Sequence, residues 1–192
     1  MEKIIIVYVL IIAISYLAGS VTGAYYVVKL LTGEDIRILE SGNVGATNAA
    51  RVLGKKGFLL TLLIDAVKVF ITLTIVEQWL LDSDSALVIS SVFLCIGHLY
   101  PFQLGFHGGK GVVVYMASAL VLSPVTIVVA AIAMGVSYGL LREYKTAGFL
   151  TMASMPVSAF VIEGSVIIPC GLLILFVIVV MSHLKSGKSQ SV

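Results

Sequence analysis

Between Ser41 and Arg51 the chain reads Ser-Gly-Asn-Val-Gly-Ala-Thr-Asn-Ala-Ala-Arg, a dense run of small and hydrogen-bonding residues that ends in a cation. That composition suits an anion. Glycines let the backbone turn its N–H groups toward a ligand, while Ser41, Asn43, Thr47 and Asn48 add neutral polar groups. The Arg51 guanidinium offers a planar fork of donors matched to phosphate. A helix starting near Thr47 would add the positive end of its dipole. On these residues alone, a flexible polar connection is the alternative reading.

A second run, Gly108-Gly109-Lys110-Gly111, repeats the theme with glycines around one lysine. It is not a nucleotide loop. A Walker motif needs Gly at position 104 and Ser or Thr at 111, where this chain has Leu104 and Gly111; Gly187-Lys188-Ser189 fails likewise, with Ser182 in the first glycine's place. Nor does Gly42-Asn43-Val44-Gly45 make a dinucleotide fingerprint, because position 40 is Glu40. Phosphate carried by some other molecule fits better. His98, His107 and His183 have no Cys, Asp or Glu at ligand spacing, so no metal site is expected. Ser41 lacks the Gly-x-Ser-x-Gly elbow of a serine nucleophile. Asp65 and Lys68 stand three residues apart inside an apolar run, on one helix face. A lone charge there costs roughly 2.5–3.5 kcal/mol, so a mutual pair explains both without catalysis, and support for the loops is the alternative.

The segments that must position these loops are apolar. Asp, Glu, Lys and Arg make up 22 of 192 residues, 11%, against roughly 25% in a soluble domain. Too little charge remains to cover a water-exposed surface, so the outside faces lipid. Disorder, a disulfide scaffold and nucleic-acid binding are excluded by the same figures. Cys95 and Cys170 lie in apolar runs and read as buried thiols. Charge-free or nearly charge-free runs predict spans over residues 4–28, 58–76 and 86–96. The 30 uncharged residues from 112 to 141 are interrupted at Ser123-Pro124 and predict two helices, the first too short to span; 149–162 and 166–182 complete the set. The expected fold is all-α, a single polytopic membrane domain over 1–192 with about seven spanning or partly spanning helices. A single span over 112–141 gives five if 142–182 also counts once. Lys and Arg gather in 29–57, 97–111, 142–148 and the tail, which predicts those segments on the cytoplasmic face and the N-terminus outside.

Together the loops resemble the bacterial acyl-phosphate:glycerol-3-phosphate acyltransferase family of inner-membrane enzymes. The run from Ser41 through Arg51-Val-Leu-Gly54 is similar to its first motif, and Gly97-His98-Leu-Tyr-Pro101 with Phe106-His-Gly-Gly-Lys110-Gly111 to its second. Weaker support comes from Asp65-x-x-Lys68, Lys145-Thr146-Ala147-Gly148 and His183. The resemblance implies transfer of a fatty acyl group from acyl phosphate to the 1-hydroxyl of glycerol 3-phosphate, giving lysophosphatidate and phosphate without a cofactor. Membrane lipid and the enzyme that makes acyl phosphate would be its partners. By position it implies catalytic roles for Ser41, Arg51, Lys110 and His183. Substrate contacts are implied for Asn43, Thr47, Asn48, His98, Gly108, Gly109 and Thr146, with Ser41 and Asn48 donating hydrogen bonds. Departures are Val69 for a glycine, Gln103 for an aromatic and Ser186 for an asparagine, with a tail lacking the family's Arg and Glu. An organic-phosphate transporter and a catalytically weak paralogue are the alternatives.

Overall fold

In a computed structural model that describes residues 1–188, with side chains as far as Lys185, the chain is all helical. In hydrocarbon every backbone N–H and C=O must be satisfied within its own segment, and long runs of Leu, Ile, Val and Ala meet that demand as helices. The helices are α1 (Glu2–Ser20), α2 (Gly23–Thr32), α3 (Ala46–Ile75), α4 (Asp84–Leu99), α5 (Val112–Leu122), α6 (Pro124–Leu141), α7 (Tyr144–Ile162) and α8 (Ile167–Lys188). Among the described residues six stretches are long and apolar enough to cross a membrane, and α5 is a shorter apolar helix. The chain is a multi-pass membrane protein.

Several boundaries differ from the sequence expectation. The run 4–28 is interrupted at Val21 and Thr22, which adopt extended backbone between α1 and α2. The polar segment 29–57 contains the end of α2, a 3-10 turn at Ile36–Ile38 and the start of α3, which begins at Ala46. Within α3, Gly54 takes φ 64°, ψ −153°, a combination open essentially to glycine alone; the helix bends there before the apolar part. Past Ile75 the chain continues as a wider π turn, Val76–Leu80. Ser123-Pro124 does divide α5 from α6, with proline at the first helical position where its missing N–H costs nothing. The basic loop after α6 shrinks to Arg142 and Glu143. Cys95 is buried, but Cys170 is exposed on the outer surface of α8 rather than buried.

Packing relies on close backbone approach. A Cβ on Gly19 would lie 2.2 Å from the Leu94 carbonyl oxygen, and one on Gly97 would lie 2.3 Å from that of Tyr16. Reciprocal glycines thus bring α1 and α4 into contact, as small residues do in membrane interfaces, and a Ser15–Ser90 hydrogen bond of 2.7 Å joins the same pair. At the centre, Ile11, Leu73, Leu94, Tyr115, Leu172 and Leu175 are fully buried. The 11 residues of α5 make a helix of about 16 Å, against a hydrocarbon thickness of about 30 Å. Its far end is held by Ser123, whose hydroxyl donates to Glu163 at the α7–α8 turn. So short a helix draws the loop before it, and Lys110 with it, in from the ends of the neighbouring helices.

Tyr115 sits on α5 with its hydroxyl donating to the Met152 carbonyl of α7 at 2.9 Å. That carbonyl is orphaned by sequence: Pro156, four residues on, has no N–H to return. Tyr115→Phe is therefore expected to cost about 1–3 kcal/mol by stranding a buried acceptor. In a Pro156→Ala background, where the helix itself supplies the donor, the same substitution should cost much less. Thermal unfolding of the four proteins in one detergent reads the difference; equal losses in both backgrounds would refute the assignment.

Candidate functional site

The break between α1 and α2 is where the site begins. It frees carbonyls at the end of α1 and N–H groups at the start of α2, which lipid cannot satisfy. Lys68, on α3, meets the first need: its ammonium donates to the carbonyls of Gly19 at 3.1 Å and Val21 at 2.6 Å. Asp65 meets the second, accepting from the Gly23 N–H at 3.0 Å, and pairs with Lys68 at 2.9 Å. The signs match the helix dipoles, a cation at the C-terminus of α1 and an anion at the N-terminus of α2. Gln103 donates to the Ser20 carbonyl at 2.5 Å, so the residue that departs from the second-motif pattern helps to close the break. The ion pair expected from the spacing is formed, and it also reaches the loops through His98, whose Nδ1 lies 2.9 Å from the Lys68 nitrogen.

Both loops are built around backbone contacts that only glycine permits. The Gly108 and Gly109 N–H groups donate to the carbonyls of Leu99 and His98, each at 3.1 Å, and the Val44 N–H donates to the Gly108 carbonyl at 3.3 Å. A Cβ on Gly109 would stand 2.2 Å from His98 Nε2 and 2.8 Å from the Val44 carbonyl. The first and second runs therefore rest directly on each other. Arg37 adds a brace: it pairs with Asp35 at 2.6 Å and donates to the Leu104 carbonyl at 2.9 Å. Its guanidinium holds the Asp35 carboxyl below the usual carboxylate range. Gly111, at φ 82°, then turns the chain into α5.

Where they meet lies a cleft of about 310 Å³ whose walls include Ser41, Asn43, Tyr100, His107, Lys110 and Lys185. Gly108 and Gly109 form part of the same wall. Lys110 is held below the ordinary lysine range, first by partial burial and then by the nearby positive charges of Lys145 and Arg51. His183, on α8, is half-buried with its ring edge-on to Phe149; its Nδ1 is 2.9 Å from the Val179 carbonyl, so that nitrogen carries the proton and Nε2 is left free. Lys110 and Lys145 are within electrostatic reach of it. Lys110 and Lys185 stand on the cleft wall, whereas Arg51, Lys145 and His183 do not line it and act on Lys110 or with it only at electrostatic range; positive charge so gathered is what a bound anion would offset.

Not every expected contact faces this cleft. Asn48 is 1% exposed; its Oδ1 accepts from the Ser41 N–H and hydroxyl, and its amide nitrogen donates to Leu39 and Ile36. Both residues thus brace the first loop, and Ser41 alone of the two reaches the cleft wall. His98 is 3% exposed and lies beneath Gly109 instead of in the cleft. Thr47 is exposed at the start of α3, and Thr146 donates to Glu143 at 2.7 Å. Lys185 and Tyr100, 6.0 Å apart as a cation over a ring, line the cleft without having been singled out; the signal was only Lys185's place two residues past His183. Among the described residues no three His, Cys, Asp or Glu side chains are grouped to hold a metal. Ser186 and the tail after it lie outside the described side chains.

Residues 9–189 match the model of the glycerol-3-phosphate acyltransferase family. The chain is 35% identical over 176 residues, 92% of its own length and 87% of the relative's, to glycerol-3-phosphate acyltransferase 1 of Desulfitobacterium hafniense. It is similar in structure to PlsY, an integral membrane glycerol 3-phosphate acyltransferase, in its glycerol 3-phosphate form: TM-score 0.81, 30% identity, 93% of this chain and 88% of that one covered. The lysophosphatidic acid form of PlsY gives 0.78 and 28%, with the same coverage.

The lowered Lys110 value has a measurable consequence. A phosphate held by Lys110 would prefer the protonated amine, so its affinity should be highest below the Lys110 pKa of the free protein and fall as pH rises through it. Because that pKa is depressed, the fall should begin on the acid side of the usual lysine value of about 10.4. Calorimetric titration with inorganic phosphate between about pH 8 and about pH 10 should show the decline in the wild type and a flatter profile in Lys110→Arg, whose guanidinium stays charged. Parallel profiles would show that Lys110 is not the group being titrated.

Proposed function

The chain belongs to the glycerol-3-phosphate acyltransferase family, and from that premise we propose that it moves a fatty acyl group from acyl phosphate to the 1-hydroxyl of glycerol 3-phosphate. The observation that carries this reading is the cleft that two glycine loops, locked at Val44 and Gly108, form around Lys110, with the positive charges of Lys145 and Arg51 in electrostatic reach of that amine. Two phosphates of two substrates answer that excess of positive charge. The cleft opens among apolar helices, where an acyl chain can lie in lipid while its phosphate enters the loops.

In the reaction the glycerol hydroxyl oxygen attacks the acyl carbonyl carbon. A new C–O ester bond forms, the C–O bond to phosphate breaks, and the hydroxyl proton leaves with inorganic phosphate. The departing group is already a good one and can accept that proton itself, so no side-chain base is required. What the chain supplies is position and charge: Lys110 and Arg51 hold phosphate oxygens, His183 contacts one from α8, and Ser41 and Asn43 fix orientation from the first loop. By the distribution of Lys and Arg the loops face the cytoplasm of a bacterial inner membrane with the N-terminus outside. An enzyme that makes the labile acyl phosphate is then the expected partner on the same face.

Purified protein in detergent, given palmitoyl phosphate and glycerol 3-phosphate, should release lysophosphatidate and phosphate in equal amounts, and palmitoyl-CoA should not replace the donor. Product from the thioester alone would overturn the donor assignment, and no product from either would overturn the activity. Lys110→Ala and Arg51→Ala should each lower kcat/KM by about 10²-fold or more with melting unchanged; wild-type rates in both would refute the site.

A further inference from the structure

Lys68 satisfies the helix break, yet one of its contacts is not needed for that. Charged lysine has three protons and no acceptor site. The ammonium shares those protons among four acceptors, Gly19 at 3.1 Å, Val21 at 2.6 Å, Asp65 at 2.9 Å and His98 Nδ1 at 2.9 Å; an N–H at Nδ1 would point at a cation with no lone pair, so Nδ1 turns its own lone pair to Lys68 and the imidazole proton sits on Nε2. Asp65 Oδ1 stands 3.7 Å from the same Nδ1, too far to draw a proton there instead. The ring is thereby held in one tautomer and one orientation, with Nε2 against the face of Gly109 where a Cβ would lie 2.2 Å away. From the same residue the backbone carbonyl accepts the Gly109 N–H. Gly109 is consequently gripped from two sides by His98 and on a third by the Val44 carbonyl, and the next residue is Lys110.

We propose that His98 is the positioning residue of the second loop: fixed by Lys68, its ring sets Gly109 and so places the Lys110 amine in the cleft. The Asp65–Lys68 pair then acts on turnover as well as on folding, through His98. The helix break and the phosphate cleft are one mechanical unit, since the ammonium that closes the first also orients the second. This inference rests on the reading of the cleft as a phosphate-binding transfer site, and it adds to that reading a buried group that touches no substrate.

Removing Lys68 itself would orphan Asp65 and the carbonyls of the break, so the informative variant is His98→Asn. It leaves the ion pair intact, keeps a polar partner for Lys68 and withdraws only the ring beneath Gly109. The expected result is a melting temperature close to wild type with kcat/KM lowered about tenfold or more. In a Lys110→Ala background the same substitution should cost nothing further, because its effect passes through Lys110. Phosphate affinity, measured by titration on the same four proteins, should follow the same pattern, which keeps the cycle readable if acyl transfer itself is not found. Histidine-labelled protein, with the His98 resonances identified by their loss in His98→Asn, should show nitrogen shifts of the Nε2–H tautomer. A wild-type kcat/KM and phosphate affinity in His98→Asn, losses that add to those of Lys110→Ala, or an Nδ1–H tautomer would each overturn the proposal.

Discussion

A membrane helix cannot be interrupted without something to answer the backbone groups it frees, and here that something is chiefly one buried ion pair, Lys68 with Asp65. Lys68 reaches across from α3 to two carbonyls at the end of α1, while Asp65 takes the N–H at the start of α2. Neither charge could be tolerated in hydrocarbon alone, and the break could not be tolerated without them. Each removes the other's cost. Because α2 sets off in a new direction from that point, it leads to Ile36 and Leu39, whose carbonyls hold Asn48, and so to the first loop.

The two loops are in turn a single construction. Val44 meets Gly108, Arg37 meets Leu104, and Gly109 is closed on by His98 and Val44 together. Glycines are needed for approach as much as for conformation: Gly109 does not take a positive φ, but no side chain fits there. Gly111 is needed on both counts, since its φ is 82° and Leu99, Cys95 and Val179 fill the space beside it. Once the backbones are this close, the Lys110 backbone is fixed, and its amine is held below the ordinary lysine range by partial burial and by the charges of Lys145 and Arg51. Preorganised charge of this kind acts on a bound anion without rearrangement.

The spans and the loops were legible because their signals are local. A run without charge declares a helix, a proline after serine declares its end, and the clustered glycines of 41–45 and 105–111 declare where the chain leaves one helix and turns toward the next. The break at Val21 carries no such signal. Gly19, Ser20, Val21 and Thr22 are ordinary residues for a membrane helix, and what permits the break sits on α3 and at Gln103, more than 40 positions away. Distance does not account for Asn48 and His98, since Asn48 bonds partners 7 to 12 positions away and His98 meets Lys68 across 30. Their residue types suggested substrate contact, but burial turned both inward to hold backbone. Cys170 erred the other way: an apolar run in a membrane protein is as often facing lipid as core, and periodicity was too weak to say which. Tyr115 was overlooked because the carbonyl it serves is orphaned by Pro156 in another helix.

Scarcity of charge finally explains the order of the assembly. Of the 12 cations, only Lys3 and Lys68 lie outside the segments around the loops and tail. Lys3 is exposed near the N-terminus, whereas Lys68 is 8% exposed within the bundle. The loop cations can repel one another at tolerable cost because an anion is expected among them. Lys68 has no such visitor and needs permanent partners, which the broken helix provides in place of water. With the ammonium so fixed, its contact to His98 carries order from the interior of the bundle to the one loop whose lysine must be held still. Depth and precision are linked in that arrangement: the site can be open to polar substrates at its surface because its backbone is anchored to a charge that cannot leave.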